Sequence, residues 1–395
     1  MVEFKNNDKS CDIHTWGEFC EIIKGNGVQK ADFVEEGFGC IHYGQIYTHY
    51  GPYTYSTNKF VSKATFDKAR KASKGDVIMT DTSENVEDIC KSVAYLGVDD
   101  IAVSNHALIL KHNQNPKFLS YSTLTDCFLA QKRKVVVGVK VSGIKPEQLA
   151  KFKIYLPSLT EQKRIVEQLD TFTSSIENLK EQIAQRRKQY EYYRDQLLDF
   201  EGKEGVEMKT LGDICTIKNG YTPSTKNSEF WDGGSLPWFT LEDIRKKGRI
   251  LDDSIKHITA LGVKKGGLFP ANSIIISTTA TIGEYALIQT DFLCNQQISC
   301  LSIKDTNIVL PKYLYYLAPY IGEWCKKNVN GGGSLLIVST SKLQKIRIPL
   351  PPLSEQQRIV SILDTFEASI RNLEQQLAQR EKQYEYYRNK LLTFE

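Results

Sequence analysis

Nine cysteines and six histidines are the side chains best able to hold a metal or act as nucleophiles, and their spacing provides for neither. No CxxC pair occurs, the closest thiols (Cys294 and Cys300) match no common zinc spacing, and the histidines have no partner at ligand spacing. Buried free thiols are the expectation. The phosphate-cradling G-x-x-x-x-G-K-[ST] is absent, and GGGS at Gly331 to Ser334 lacks its lysine. Also missing are the [DN]-P-P-[YF] of amino-methyltransferases, an H-E-x-x-H and any paired-carboxylate constellation. The chain reads as non-catalytic, with no metal and no cofactor of its own.

Its polar residues are better suited to reading a surface. Amides, hydroxyls and aromatic rings crowd a few segments. HYGQIYTHYGPYTY carries Gln45, Tyr47, His49 and Tyr53, and TPSTKNSEFWDGGSLPWFTLEDI carries Thr222, Ser224, Trp238 and Thr240. STTATIG adds Thr278, Thr279 and Thr281, and NQQ adds Gln296. Such groups donate to and accept from base edges, while lysine and arginine neutralise phosphates. Lys63, Lys71, Arg245 and Lys246 stand in nearby basic clusters, so all sixteen form a candidate DNA-binding set. Taken singly, a loop residue is more often part of an ordinary hydrogen-bonded turn than a reader of bases. A single basic cluster is more often a solvated face.

What must position these residues is a duplicated chain. IYLPSLTEQKRIVEQLDTFTSSIENLKEQIAQRRKQYEYYRDQLLDFE runs from Ile154 to Glu201, and IPLPPLSEQQRIVSILDTFEASIRNLEQQLAQREKQYEYYRNKLLTFE from Ile348 to Glu395, with 32 of 48 positions identical. TWGEFCEIIKG around Trp16 is matched by TLGDICTIKNG around Leu211. The plan is A–B–A′–B′: a first module over 1–153, a connector over 154–205, a second module over 206–347 and a second connector over 348–395. The modules read as α+β, with strand-like runs DVIMT, HALIL, KVVVGVKV, NSIIIST and ISCLSI.

Each connector opens on proline, then Thr160 or Ser354 as the expected helix cap, then Glu-Gln, and Gly202 suits the end of the first helix. Apolar residues then alternate at steps of four and three. The first seam runs through Ile165, Leu169, Phe172, Ile176, Leu179, Ile183, Tyr190 and Tyr193; the second through Ile359, Leu363, Phe366, Ile370, Leu373, Leu377, Tyr384 and Tyr387. A seven-residue period held this long predicts a coiled coil. Parallel pairing would put Arg186 and Arg380 in one layer. The expectation is therefore an intramolecular antiparallel coiled coil in a pseudo-two-fold circular arrangement, with Glu395 near the start of the first module. Tyr192 and Tyr386 fall off the seam and are candidates for partner contact.

The net charge of +4 is unevenly shared: +2 and +5 on the modules, −2 and −1 on the connectors. An anionic polymer would therefore be held by the modules. Clusters such as Lys132, Arg133 and Lys134, or Arg245, Lys246, Lys247 and Arg249, supply the positive charge. A polar start (MVEFKNNDKSCD) and no apolar run of membrane-spanning length lead to the expectation of a cytoplasmic protein with no membrane partner.

The LPPLSEQQRIV helix start, the LDTF…I…L heptads, the TLGDI…IKNG module start and the SLPWFT and IHYGQIY loops resemble the specificity subunit of type I restriction–modification enzymes. The resemblance covers all but about the first eleven residues. It implies two target recognition domains, each reading one half of a split sequence in double-stranded DNA. It also implies that the paired helices set the spacing and dock two adenine-methyltransferase subunits, which restriction subunits join. S-adenosylmethionine, ATP and magnesium would belong to those partners. A DNA enzyme with an unrecognised active site and a DNA-independent coiled-coil adaptor are the alternatives.

Overall fold

The computed structural model describes residues 13–83, 88–135, 142–201, 205–329 and 336–393. By compactness the chain forms two units, one of Met1–Glu181 with Glu374–Glu395 and one of Gln182–Leu373. Each unit therefore combines one module with half of each long helix.

In the first unit a five-stranded sheet has the order Glu21–Lys24, Ala107–Lys111, Val77–Thr80, Ser92–Tyr95, Tyr53–Thr54. Its neighbours are antiparallel, with Ile109 opposite Ile78, except the last pair, which is parallel. The apolar runs reflect burial on both faces. Val77, Met79, Leu108 and Leu110 pack with Trp16, Phe118, Tyr121, Ile165 and Leu169, while Ile78, Val93 and Ile109 pack with Ile41 and Ile46. A second sheet sets Phe38–Ile41 between Lys59–Val61, antiparallel, and Ile101–Val103, parallel.

The second unit repeats this construction despite its divergent sequence. Its five-stranded sheet runs Cys215–Asn219, Ile298–Ile303, Ser273–Ser277, Tyr285–Ile288, Ile250–Leu251, again with only the last pair parallel. Leu236–Phe239 again lies between an antiparallel strand, Lys256–Ile258, and a parallel one, Leu293–Cys294. The shared KG and NG module starts have a steric cause. A Cβ on Gly25 would lie 2.3 Å from the Ser104 carbonyl oxygen, and one on Gly220 would lie 2.1 Å from that of Cys294. Gly220→Ala is expected to destabilise the second unit by about 1–3 kcal/mol, seen as a lowered thermal midpoint.

Both connectors are continuous helices of 40 residues, Leu159–Leu198 and Leu353–Leu392. They begin one residue before the expected caps. Ser158 Oγ accepts the Glu161 N–H at 3.4 Å, and Pro352 holds the corresponding place in the second copy, its carbonyl accepting the Glu355 N–H at 2.9 Å. Thr160 and Ser354 therefore lie inside the helices. Pairing is antiparallel. In the first unit Phe172 stacks on Tyr387 (5.4 Å, 26°) and Lys180 pairs with Glu381 at 3.4 Å, so a step forward on one helix is a step back on the other. The second unit has the counterpart stack of Tyr193 on Phe366 (5.4 Å, 28°). Arg186 lies 5.9 Å from the Phe366 ring and Arg380 lies 5.8 Å from the Phe172 ring, each over an aromatic face.

Ile165, Leu169, Ile176, Ile183, Ile359 and Leu363 are buried along the seam, and Leu179, Tyr190, Ile370, Leu373, Leu377 and Tyr384 are half-buried. Tyr193 stays 46% exposed beside its stacked partner, while Tyr192 and Tyr386 project into solvent. The last described turn of the second helix buries Leu391 and Leu392 in the first module's core. Gly202, GGGS and the position of Glu395 fall outside the described residues. So does most of KVVVGVKV, whose Lys134 and Val135 end the helix Asp126–Val135 rather than open a strand.

Buried polar pairs fasten each helix start to its module. Gln162 donates to the carbonyls of Gln114's side chain (2.9 Å) and of Pro157 (2.8 Å), and accepts the Asn115 N–H at 3.0 Å. Gln356 does the same with Ile308 and Pro351 (2.9 Å each) and the Leu310 N–H (3.0 Å). Eight residues on, Asp170 takes hydrogen bonds from Lys117 and Tyr121 (2.8 Å each), and Asp364 takes them from Lys312 (2.7 Å) and Tyr316. The EQ and LDTF repeats are thus docking elements, matched in the modules by NPKFLSY and LPKYLYY.

Candidate nucleic-acid interface

In each module several strand ends meet at one edge, held by the same three backbone hydrogen bonds. In the first, the Gly25 N–H donates to the Ala107 carbonyl (2.8 Å), the Ser104 N–H to Ile41 (3.1 Å) and the Asp81 N–H to His106 (3.2 Å). In the second, the Gly220 N–H donates to Ile298 (2.9 Å), the Asn295 N–H to Phe239 (3.0 Å) and the Thr278 N–H to Gln297 (2.9 Å). This correspondence equates Asn105 with Gln296, His42 with Thr240 and Asp81 with Thr278. The frame is common to both modules, and the side chains on it differ.

The second edge gathers much of the sequence-derived set. Thr222 Oγ1 donates to Gln296, and Gln296 is exposed. Thr240 caps the helix Leu241–Lys247 through Asp243, whose carboxylate accepts its hydroxyl at 2.9 Å and its N–H at 2.7 Å. That helix presents Arg245, paired with Glu284 at 2.9 Å beside the end of the Ser273–Ser277 strand, and Lys246, paired with Glu242 at 2.6 Å. Both pairs are solvent-exposed and only weakly held in water, so a phosphate can displace the carboxylate. Thr279 bridges to Ile337, and Thr281 is exposed.

Other members of the set support this edge from behind. Trp238 is 6% exposed; its indole N–H donates to the Tyr221 carbonyl at 3.0 Å and its ring meets Trp231 edge-on. Ser224, though exposed, uses its carbonyl to hold the Trp231 indole N–H at 3.1 Å. Thr278 is buried, its hydroxyl 3.1 Å from that of Ser299.

The first module separates its candidates. Gln45 spends its oxygen on the His42 N–H (2.8 Å) and its amide nitrogen on Asn58, completing a helix-capping box. Burial pushes the His42 imidazole down to about 4, helped by the charge of Lys30. Neutral at physiological pH, its Nδ1 accepts the Gly44 N–H at 3.2 Å. Tyr47 is half-buried, donates to the Thr82 carbonyl and has its hydroxyl pKa raised by burial. His49 is exposed and closes the same short helix against Tyr50. Tyr53 lies elsewhere, packed with the core beside the connector, with the Lys117 ammonium 3.6 Å from its ring centre. Lys63 pairs with Asp67 at 2.8 Å, and Lys71 lies 4.9 Å from the Phe66 ring.

Lys132 does not belong to the exposed basic surface. It is 1% exposed and donates to the Ile89 carbonyl at 3.0 Å, because its helix turns that face into the core. Asn105 and His106, which the sequence reading missed, occupy the converging edge with the Lys24–Asp81 pair (3.0 Å). The available signal was a polar triplet between apolar runs, SNH in IAVSNHALIL and NQQ in FLCNQQISCL. Among the described residues there is no group of three or more His, Cys, Asp or Glu placed to hold a metal ion. Burial raises the thiols of Cys20, Cys40, Cys90, Cys215, Cys300 and Cys325 to about 12, far from nucleophilic use near neutrality.

The family profile described as "Type I restriction modification DNA specificity domain" matches twice, over residues 11–186 and 203–382. The chain belongs to this specificity family. Each match takes in one module and most of the helix that follows it, so the internal duplication is a duplication of the family's domain. The chain is 42% identical over 215 residues to the Escherichia coli type I restriction enzyme EcoprrI specificity subunit, covering 51% of this chain and 53% of that protein. It is 39% identical over 249 residues to the EcoR124I/EcoR124II specificity subunit, also of Escherichia coli, covering 60% of each. It thus spans somewhat over half the length of these two relatives. The Haemophilus influenzae protein S.HindORF215P is 31% identical over 312 residues, with 74% of this chain and 76% of that one covered.

Solved specificity-family structures share the fold. The S subunit from M. genitalium aligns over 99% of this chain and 98% of its own, with a TM-score of 0.59 at 14% identity. A chain from a structural study of type I system assembly aligns over 96% of each, with a TM-score of 0.65 at 19% identity. No helix among the described residues is long and apolar enough to cross a membrane.

Proposed function

We propose that this chain is the DNA sequence-recognition subunit of a type I restriction–modification complex. Each module reads one half of a bipartite target in double-stranded DNA. The paired helices set the unread gap and dock two adenine-methyltransferase subunits, through which restriction subunits are recruited. The observation that carries this reading is the contrast between one common strand-end frame with different side chains in the two modules and two near-identical connectors. Different edges suit different half-sites, and like connectors suit two like partners. The exposed Tyr192 and Tyr386, at equivalent positions of the two helices, are candidates for that docking.

Chemistry is assigned to the partners. The methyltransferase subunits bring S-adenosylmethionine and the restriction subunits bring ATP and magnesium, with the complex working in the cytoplasm. The purified chain with its methyltransferase partner is expected to shift a cognate duplex in a gel, sequence-selectively and with affinity falling steeply as salt rises. The chain alone is expected neither to methylate nor to cut DNA. Methylation or cleavage by the chain alone would favour an enzyme, and absence of any sequence preference in the complex would favour an adaptor.

A further inference from the structure

The converging edges differ in side chains but share one device. A tight turn in each module carries an amide whose oxygen is already engaged by its own module. In the first, Asn105 Oδ1 accepts the Gly27 N–H at 2.6 Å; a backbone N–H can only donate, so the amide is fixed with oxygen inward and Nδ2 outward. In the second, the Thr222 hydroxyl donates to Gln296 Oε1. Neither amide nitrogen, Asn105 Nδ2 or Gln296 Nε2, makes a hydrogen bond to any described residue, and neither side chain is buried. The backbone frames around the turns correspond bond for bond, so Asn105 and Gln296 occupy equivalent positions in the two modules.

We infer that Asn105 and Gln296 are equivalent specificity-determining residues, each offering its amide NH₂ to an acceptor on a base edge of the half-site its own module reads. The acceptors of the right chemistry are purine N7, guanine O6 and thymine O4 in the major groove. This rests on the DNA-reading function proposed above and adds the residue, the donor and the chemical class of its target. Gly27, at φ +82° in the left-handed region that favours glycine, presents the backbone N–H that orients the amide. Near it, His106 Nδ1 lies 3.8 Å from Asp81 and the His106 ring lies 5.2 Å from Tyr43, so the neighbouring side chain is steadied as well.

Asn105→Asp tests the inference because it keeps Oδ1 for the Gly27 N–H and the side-chain shape while replacing the outward donor by an acceptor. The wild-type complex and the variant complex, each with methyltransferase subunits, are presented with a library of randomised duplexes, and methylated members are sequenced. The expected result is a loss of about ten- to a hundred-fold in relative preference at one base pair of one half-site. Preference there shifts toward cytosine, whose amino group donates, and the other half-site keeps its preferences. Gln296→Glu is expected to do the same in the opposite half-site, so the inference has a second, independent variant. Relative preferences unchanged at every position in both variants would overturn it, as would changes in both half-sites from either single substitution. A wild-type complex showing no bipartite preference would instead refute the DNA-reading function itself.

Discussion

Inserting four residues into each connector helix is expected to lengthen the unread gap of the methylated target by about two base pairs and leave both half-sites unchanged. Four helical residues add roughly 6 Å, and successive base pairs lie roughly 3.4 Å apart along DNA. The insertions belong after Glu181 and after Leu373, where the compact units divide. There they leave intact the Gln162 and Gln356 anchors at the helix starts and the buried Leu391 and Leu392 near the end of the second helix. Placing both at once keeps the antiparallel partners in step, whereas a single insertion shifts one seam against the other. The effect is large because the original target should no longer be methylated. An unchanged gap would show that something other than helix length sets the spacing.

Gln356→Leu is the second large effect. The side chain is fully buried and makes three hydrogen bonds: one accepted from the Leu310 N–H and two donated, to the carbonyls of Ile308 and Pro351. Leucine fills similar space but leaves these backbone groups without a partner, and each unsatisfied buried group costs about 1–3 kcal/mol. A loss of about 2–4 kcal/mol from the second unit is expected, read as a lower thermal midpoint and faster amide exchange around Leu310. Gln356→Glu keeps the acceptor for the Leu310 N–H while losing both donated bonds. A midpoint unchanged by Gln356→Leu would mean that the helix start is held by its apolar contacts, Ile359 and Leu363 above all.

Much of this was legible in the sequence because it is periodic or repeated. DVIMT, HALIL, NSIIIST and ISCLSI are strands whose unbroken apolarity reflects burial on both faces. The four-three spacing of the connectors reports a seam. What periodicity does not encode is which polar residues are spent internally. Gln45, Trp238 and Thr278 looked like surface-reading groups, yet they cap a helix, brace a turn and fill a core. Conversely, Gln162, Gln356, Asp170 and Asp364 passed as helix-start and heptad filler because their partners lie far along the chain. Asn105 was hidden for the same reason. Only the correspondence of the two strand-end frames shows that SNH and NQQ are one turn written twice.

In the proposed function, two modules of one fold read two independent half-sites. Mapping methylated adenines across the genome of cells expressing this chain with the proposed methyltransferase partner, before and after exchange of residues 12–153 for another module of the family, tests it most directly. The predicted result is a split motif with two unlike halves, of which the exchange rewrites one and leaves the other half and the gap intact. A contiguous motif, or an exchange that alters both halves, would contradict it.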